Sequence, residues 1–230
     1  KYTHSGIVSS RVCFNKIKSK KMLKKVKIPT PNFEKYSSKL LNKKNLNKIK
    51  NKYNKFVIKP NESGSSFGVN VIKNNTDYNN LIANLKNYKK KIHHHNSLIV
   101  EEYIKGIELT VSVIQIEKKI QALEVTEILT KNSFFDYKSK YTKGYSKHIL
   151  PARVPKKIYK KCLNYALKAH KILKCNVISR SDFIYDLDKK IIYYLETNTQ
   201  PGLTPISLVP EQAKFKKISF DKIILELIKN

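Results

Sequence analysis

Tryptophan is absent from these 230 residues, methionine occurs once and glycine six times. Arginine stands only at Arg11, Arg153 and Arg180, although Lys and Arg together number 47. Acidic residues are scarce as well, and 17 Asp and Glu leave a formal net charge of +30. Cys13, Cys162 and Cys175 are odd in number and far apart. That spacing excludes a disulfide framework and a zinc finger, and makes a reducing cytoplasm the expected location. No apolar run approaches the ~20 residues that a bilayer-spanning helix needs, so neither an integral membrane protein nor a membrane partner is expected. No signal-peptide pattern is present. Because the first residue is Lys1 rather than Met, the natural start is expected upstream.

What is abundant is lysine, and dense lysine draws polyanions. The lysines run evenly from Lys16 to Lys229. A binding stripe would interleave arginine forks with aromatics, so solvated faces are the favoured reading and no nucleic-acid partner is expected. A basic nucleic-acid-binding module stands as the alternative, marked by affinity that falls steeply with salt.

Apolar patterning excludes disorder throughout and divides the chain into α+β units. Lys1 to Gly6 reads as a loop entering a helix near Asn15, which continues through Ser19 to Val26 and stops at Ile28-Pro29-Thr30-Pro31. Ser37 to Tyr53 reads as a helix with Leu40, Leu41, Leu46 and Ile49 available for one face, and Phe56 to Pro60 as a short strand. A polar Gly/Ser loop spans Asn61 to Gly68, followed by a strand from Val69 to Lys73. Thr76 is placed as the cap of a helix to about Lys90, and Leu98 to Tyr103 as the closing strand. His93, His94 and His95 are consecutive, do not face one way, and read as a surface turn. Beyond a boundary near Tyr103 to Gly106, Leu109 to Ile116 and Ile120 to Ile128 alternate as antiparallel strands. Residues 131–147 form a long loop, and Pro155 opens a helix to about Leu173. Val177 to Tyr185 and Lys190 to Glu196 are strands, Thr197 to Leu208 a loop, and Phe220 to Ile228 a helix.

In a lysine-rich chain the acids stand out. Asp182 and Glu196 fall near the ends of two neighbouring strands, and Asn198 shares the face of Glu196 by the period of two. If those strands pair antiparallel, two carboxylates and an amide oxygen meet at a site suited to Mg²⁺. Pairing of the same residues with lysines explains the pattern equally well. Lys59 meanwhile leads from a strand into Asn61-Glu62-Ser63-Gly64-Ser65-Ser66-Phe67-Gly68, whose backbone N–H groups can face phosphate oxygens. It is neither a Walker A loop nor a Gly-x-Gly-x-x-Gly turn.

Several blocks, in one order along nearly the whole chain, carry a resemblance: Tyr2-Thr3-His4-Ser5-Gly6, Val57-Ile58-Lys59-Pro60, Glu62 to Gly68, Val100 to Ile104 and Gly106 to Val111. They continue with Phe135 to Tyr141, Arg180-Ser181-Asp182, Leu195 to Thr199, Pro201 to Thr204 and Ser207 to Pro210. In these the chain resembles the D-alanine–D-alanine ligases of the ATP-grasp superfamily. The resemblance implies an α+β ATP-grasp fold in which two α+β subdomains hold the nucleotide between them. It divides the chain into a connector over residues 1–24, a central subdomain over 25–104 and a C-terminal subdomain over 105–230. It also implies ATP-dependent joining of two D-alanines through an acyl phosphate, for peptidoglycan precursors. Another carboxylate–amine ligase of the same fold is the nearest alternative.

By position the resemblance assigns Lys59, Ser66 and Lys140 to the nucleotide phosphates, Glu101, Glu102, Tyr103 and Ile104 to the adenine edge, and Glu108 to the ribose. Asp182, Glu196 and Asn198 would hold two Mg²⁺ ions, or Mn²⁺ in their place. Arg180 would fork onto the acyl phosphate and the tetrahedral intermediate, with the Gly202 N–H as the second donor. Ser65 and Tyr141 would join the phosphate loop to the long loop, and Ser207 and Leu208 would receive the second D-alanine. The intact Tyr137 to Tyr141 block implies D-alanine as second substrate, and Gln200, where serine is common in the family, leaves the Gly202 donor in place. The family opens with an N-terminal α/β unit that binds the first D-alanine and contributes much of a homodimer contact. These 230 residues alone are therefore expected to bind ATP but to ligate weakly or not at all.

Overall fold

The computed structural model describes residues 3–130 and 146–229. Two short helices, α1 (Ile7–Phe14) and α2 (Lys16–Lys25), lead the chain, so helix begins earlier than expected and breaks at Asn15. The Asn15 side chain accepts the Lys18 N–H at 2.9 Å and caps α2. A strand that the sequence reading omits, β1 (Phe33–Ser37), follows the prolines. The expected helix from Ser37 is therefore corrected: Ser37 ends β1, Ser38–Leu40 make one 3₁₀ turn, and α3 (Lys43–Tyr53) starts where Asn42 caps the Asn45 N–H at 2.9 Å.

The first sheet is completed by β2 (Phe56–Pro60), β3 (Asn70–Ile72) and β4 (Ser97–Glu102), in the antiparallel order β1-β4-β2-β3. The single helix expected after Thr76 is two, α4 (Asn75–Ala83) and α5 (Leu85–Lys91), parted at Asn84. Asn74, not Thr76, caps α4 by accepting the Asp77 N–H at 2.8 Å. One sheet face packs Phe56, Ile58, Leu98 and Val100 against these helices. The alternate residues Val57, Lys59 and Glu101 turn to the other face, where a cavity lies.

The second sheet follows Gly106: β5 (Ile107–Ile116), β6 (Lys119–Thr130), β7 (Ser146–Ile149), β8 (Ile178–Asp186) and β9 (Ile191–Asn198), in the order β7-β6-β5-β8-β9. β7 takes in Ser146 and Lys147, which the sequence reading assigns to the loop. A Cβ on Gly106 would lie 2.2 Å from the Tyr185 carbonyl oxygen, so only glycine fits where the chain passes between the sheets. α6 (Lys156–Ile172) packs on one face with Val111, Val113, Phe183 and Tyr194, and Val12, Cys13, Leu23 and Ile28 of the leading segment join the same core. The other face is covered at one end by α7 (Leu208–Phe215) and α8 (Phe220–Lys229) and forms the cavity wall at the other. α7 replaces the end of the expected loop. Its buried Gln212 accepts the Ser112 N–H at 2.8 Å and donates to Thr126 Oγ1 at 2.9 Å, which pins the helix to β5 and β6.

One irregularity decides what β9 presents. Asp182 pairs with Glu196 but Phe183 pairs with Tyr194, so Leu195 is an extra residue. Before this bulge, Ile192 and Tyr194 point into the core; after it, Thr197 does. The one-residue offset turns Glu196 and Asn198 away from the core and toward the cavities. No helix among the described residues is long and apolar enough to cross a membrane.

Candidate active site

Two cavities, of about 370 and 730 Å³, share Lys16, Ser63, Gly64 and Glu196 in their walls. The smaller lies between the sheets and is lined by Lys59, Ser66, Glu101, Glu102, Tyr103, Ile104, Glu108, Asp182 and Glu196 of the expected site. The larger takes Ser65, Arg180, Glu196, Asn198, Gly202, Ser207 and Leu208. Residues scattered from Lys59 to Leu208 are thus gathered around one junction. Lys140 and Tyr141 lie outside the described residues.

The base of the smaller cavity is a buried charge cluster. Glu101 accepts Lys20 Nζ at 2.8 Å and Lys59 Nζ at 2.7 Å, and Lys20 also donates to the Tyr194 carbonyl at 3.1 Å. Burial by itself would raise the Glu101 carboxyl, but the two ammonium groups outweigh it and hold its pKa at about 2. Burial lowers Lys20 to about 8, against the pull of Glu101. Lys59 is pushed down by burial too, yet Glu101 and Glu196 outweigh that and leave it above its ordinary value. Lys59 is therefore a fixed cation at the cavity wall. Glu101 serves it through its side chain, while the Glu102 N–H donates to the Asn32 carbonyl at 2.8 Å.

The opposite wall is built on β8 and β9. Their antiparallel register sets Asp182 across from Glu196 and Arg180 across from Asn198. The Arg180 fork closes on Asp182, with Nε to Oδ1 at 2.9 Å and Nη2 to Oδ2 at 3.0 Å, and Thr110 donates to Oδ1 at 2.6 Å. Asn198 Oδ1 accepts the Gln200 N–H at 2.9 Å. Among the described residues no three His, Cys, Asp or Glu side chains form a metal cluster. The set here has two carboxylates and an amide. All are hard oxygen donors on one wall, which suits a divalent cation such as Mg²⁺. Between the walls, Ser65 and Ser66 adopt left-handed backbone at φ 50° and 58°, a conformation non-glycine residues hold only where the surroundings impose it. A Cβ on Gly202 would lie 2.7 Å from Ser207 Oγ, so the glycine lets these two residues of the larger cavity meet.

Lys16 is a residue of the site that the sequence pattern does not mark. It is buried, donates to the Ser63 carbonyl at 2.6 Å, stands 3.6 Å from Glu196 and lines both cavities. Burial lowers its pKa, with Glu196 opposing. Its neighbours fasten the leading segment to the Gly/Ser loop: the buried Asn61 accepts the Ile17 N–H at 2.9 Å, and Asn15 donates to Glu62 at 2.5 Å. Nothing local marks Lys16 or Lys20 among so many lysines; only their four-residue spacing on α2, beside Ile17, hints at one buried face.

Residues 22–229 match the family profile described as D-ala D-ala ligase C-terminus. The D-alanine--D-alanine ligase of Wolbachia pipientis wMel is 42% identical over 100% of this chain and 69% of its own length. The chain belongs to the D-alanine–D-alanine ligase family. Members of this family are ATP-dependent carboxylate–amine ligases of the ATP-grasp fold that serve peptidoglycan synthesis. The solved VanG D-Ala:D-Ser ligase of Enterococcus faecalis is similar at 28% identity and a TM-score of 0.77, over 99% of this chain and 64% of that one. The D-alanine--D-alanine ligase of Bacillus anthracis, solved in complex with ATP, gives 27% identity and a TM-score of 0.73 over 98% of this chain and 68% of that one. The chain thus spans about two thirds of the length of its relatives, and its two sheets are the pair that makes up the ATP-grasp fold.

Proposed function

We propose that the chain supplies the nucleotide- and acyl-phosphate-handling part of a D-alanine–D-alanine ligase acting in the cytoplasm. The observation that carries this reading is the β8–β9 register, which stands Asp182 and Glu196 together where the two cavities meet. ATP fits the smaller cavity, with backbone groups of Glu102 to Ile104 along the adenine and Glu108 at the ribose. Lys59, as a fixed cation, and Lys16 beside it hold the phosphates over the Ser65-Ser66 turn. Asp182, Glu196 and Asn198 would hold Mg²⁺, or Mn²⁺, which when bound offsets phosphate charge during phosphoryl transfer.

The larger cavity then holds the amino acids. A carboxylate oxygen of the first D-alanine takes the γ-phosphoryl group and ADP leaves. The amine of the second attacks the acyl carbon, and phosphate leaves with the bonding pair. Arg180 and the Gly202 N–H stabilise the oxyanion of that step, a contribution of roughly 3–4 kcal/mol for one such donor. Because the Arg180 fork rests on Asp182, a ligand that takes over this carboxylate releases the fork for the acyl phosphate. Ser207 and Leu208 receive the second carboxylate, and Lys140, Tyr141 and Ser65 close the site against water. The family homodimer is part of this proposal.

The test is protection of the chain against thermal unfolding by Mg·ATP. Protection is expected to disappear in Asp182→Asn combined with Glu196→Gln, with the unliganded unfolding midpoint nearly unmoved. Equal protection in parent and variant would refute the assignment of that wall. The similarity to a D-Ala:D-Ser ligase favours one second reading, D-serine as acceptor, which product mass after incubation of the full-length protein with each amino acid separates.

A further inference from the structure

Cys13 and Cys175, the outer two cysteines of the sequence, meet in space with their sulfurs 3.9 Å apart. Cys13 is on α1, buried, and opens onto the larger cavity. Cys175 follows α6, is partly exposed, and has its N–H fixed on the His170 carbonyl at 2.9 Å. Around it stand hydroxyl groups that ligation does not use. Ser9 Oγ lies 3.7 Å from Cys175 Sγ, Ser5 Oγ accepts the Asn176 N–H at 3.0 Å, and Ser179 Oγ is 2.8 Å from His170 Nδ1. The Cys13 S–H is the chief group lowering the Cys175 thiol; burial opposes it, and Ser9, Ser5 and Ser179 add to the lowering. The same hydrogen bond, with burial, raises Cys13. Cys175 is thus the more acidic and the more accessible of the two sulfurs, and Cys13 lies buried against it.

We propose that Cys13 and Cys175 form an oxidation site, at which a peroxide converts the two thiols into an intramolecular disulfide. The Cys175 thiolate attacks a peroxide oxygen: an S–O bond forms, the O–O bond breaks, and hydroxide leaves and is protonated. Cys13 then attacks the sulfenic sulfur: the S–S bond forms, the S–O bond breaks, and the Cys13 proton leaves in the water released. Two thiols lose two electrons and one peroxide becomes two waters. The product staples α1, which carries Ser10, Arg11 and Phe14 of the larger cavity wall, to the turn between α6 and β8. Cys162 is fully buried in the α6 core and takes no part.

The experiment treats the chain with hydrogen peroxide, alkylates the remaining thiols and maps peptides by mass. Expected are a Cys13–Cys175 linked pair reversed by dithiothreitol, and oxidation of Cys175 about tenfold or more faster than that of Cys162. Cys13→Ser should leave a sulfenic acid on Cys175 that dimedone traps, and Cys162→Ser should behave as the parent. A link through Cys162, a link between chains, or a Cys175 no faster than Cys162 would overturn the proposal. The dimedone adduct is scored on soluble Cys13→Ser protein whose unfolding midpoint matches the parent, so a folding defect cannot imitate it.

Discussion

Glu101 and Asp182 face one cavity from opposite walls, and their surroundings differ in kind. Glu101 is buried between two lysines that are themselves buried, Lys20 and Lys59, and its side chain is 3% exposed. Asp182, in the middle of β8, is 19% exposed and faces the cavity beside Arg180, with the buried Thr110 behind it. In the first cluster each charge depends on the others, because none has water to fall back on. At the rim, water or a ligand can replace a partner. The comparison teaches that one wall is an electrostatic frame set on folding, while the other is a set of exchangeable contacts suited to a ligand that comes and goes.

Removing the frame should have the largest effect. Glu101→Gln leaves two lysines facing each other in the interior, and a loss of about 3–5 kcal/mol in unfolding free energy is expected by denaturant titration. A loss as small as that of a surface variant would erase the distinction between the walls. Acid should act through the same group. Glu101 has a folded pKa of about 2 against an ordinary 4.5. The unfolded chain therefore binds the proton first, and the stability that ionised Glu101 gives is complete above about pH 4.5 and is lost as pH falls toward 2. That loss is about 3 kcal/mol, and its slope should be missing from Glu101→Gln in a pH series of unfolding curves.

The rim should answer in function rather than stability. Arg180→Lys replaces a planar fork by a point charge, and a fall of about a hundredfold in D-alanine-dependent phosphate release by the full-length protein is expected, with the unfolding midpoint nearly unmoved. A large stability loss instead would make Arg180 part of the frame. The smallest effect belongs to neither wall. Lys52 and Glu34 pair at 3.0 Å in water, and Lys52→Ala should leave the unfolding midpoint where it was.

Much of this architecture has a local signal in the sequence. Phe56-Val57-Ile58 is a β-favouring apolar run, so Lys59 falls at the end of a strand leading into a loop, and the rarity of acids singles out Asp182 and Glu196. Other features have no local signature. β1 begins just after two prolines and contains Lys35 and Ser37, so it reads as connection; pairing with β4 makes it a strand. α7 has a weak apolar stripe and depends on Gln212 reaching across to β5. Lys16 and Lys20 look like every other lysine until tertiary packing removes their water. Cys13 and Cys175, too far apart along the chain to suggest a bridge, come together because α1 folds back on the end of α6. Each of these is a contact between distant segments, which spacing along the chain does not encode.

The extra residue at Leu195 works as a phase shift. Upstream, β9 is written for an oily interior; downstream, the same alternation is written for a polar cleft, and a single inserted position converts one text into the other. Register at this point therefore matters more than composition. Exchanging Leu195 for another apolar side chain keeps the reading frame of the strand, whereas pairing Leu195 in plain alternation, without the bulge, would send Glu196 inward and Thr197 outward together. A strand that serves two solvents in succession is tolerant of substitution here so long as the extra residue stays out of the pairing.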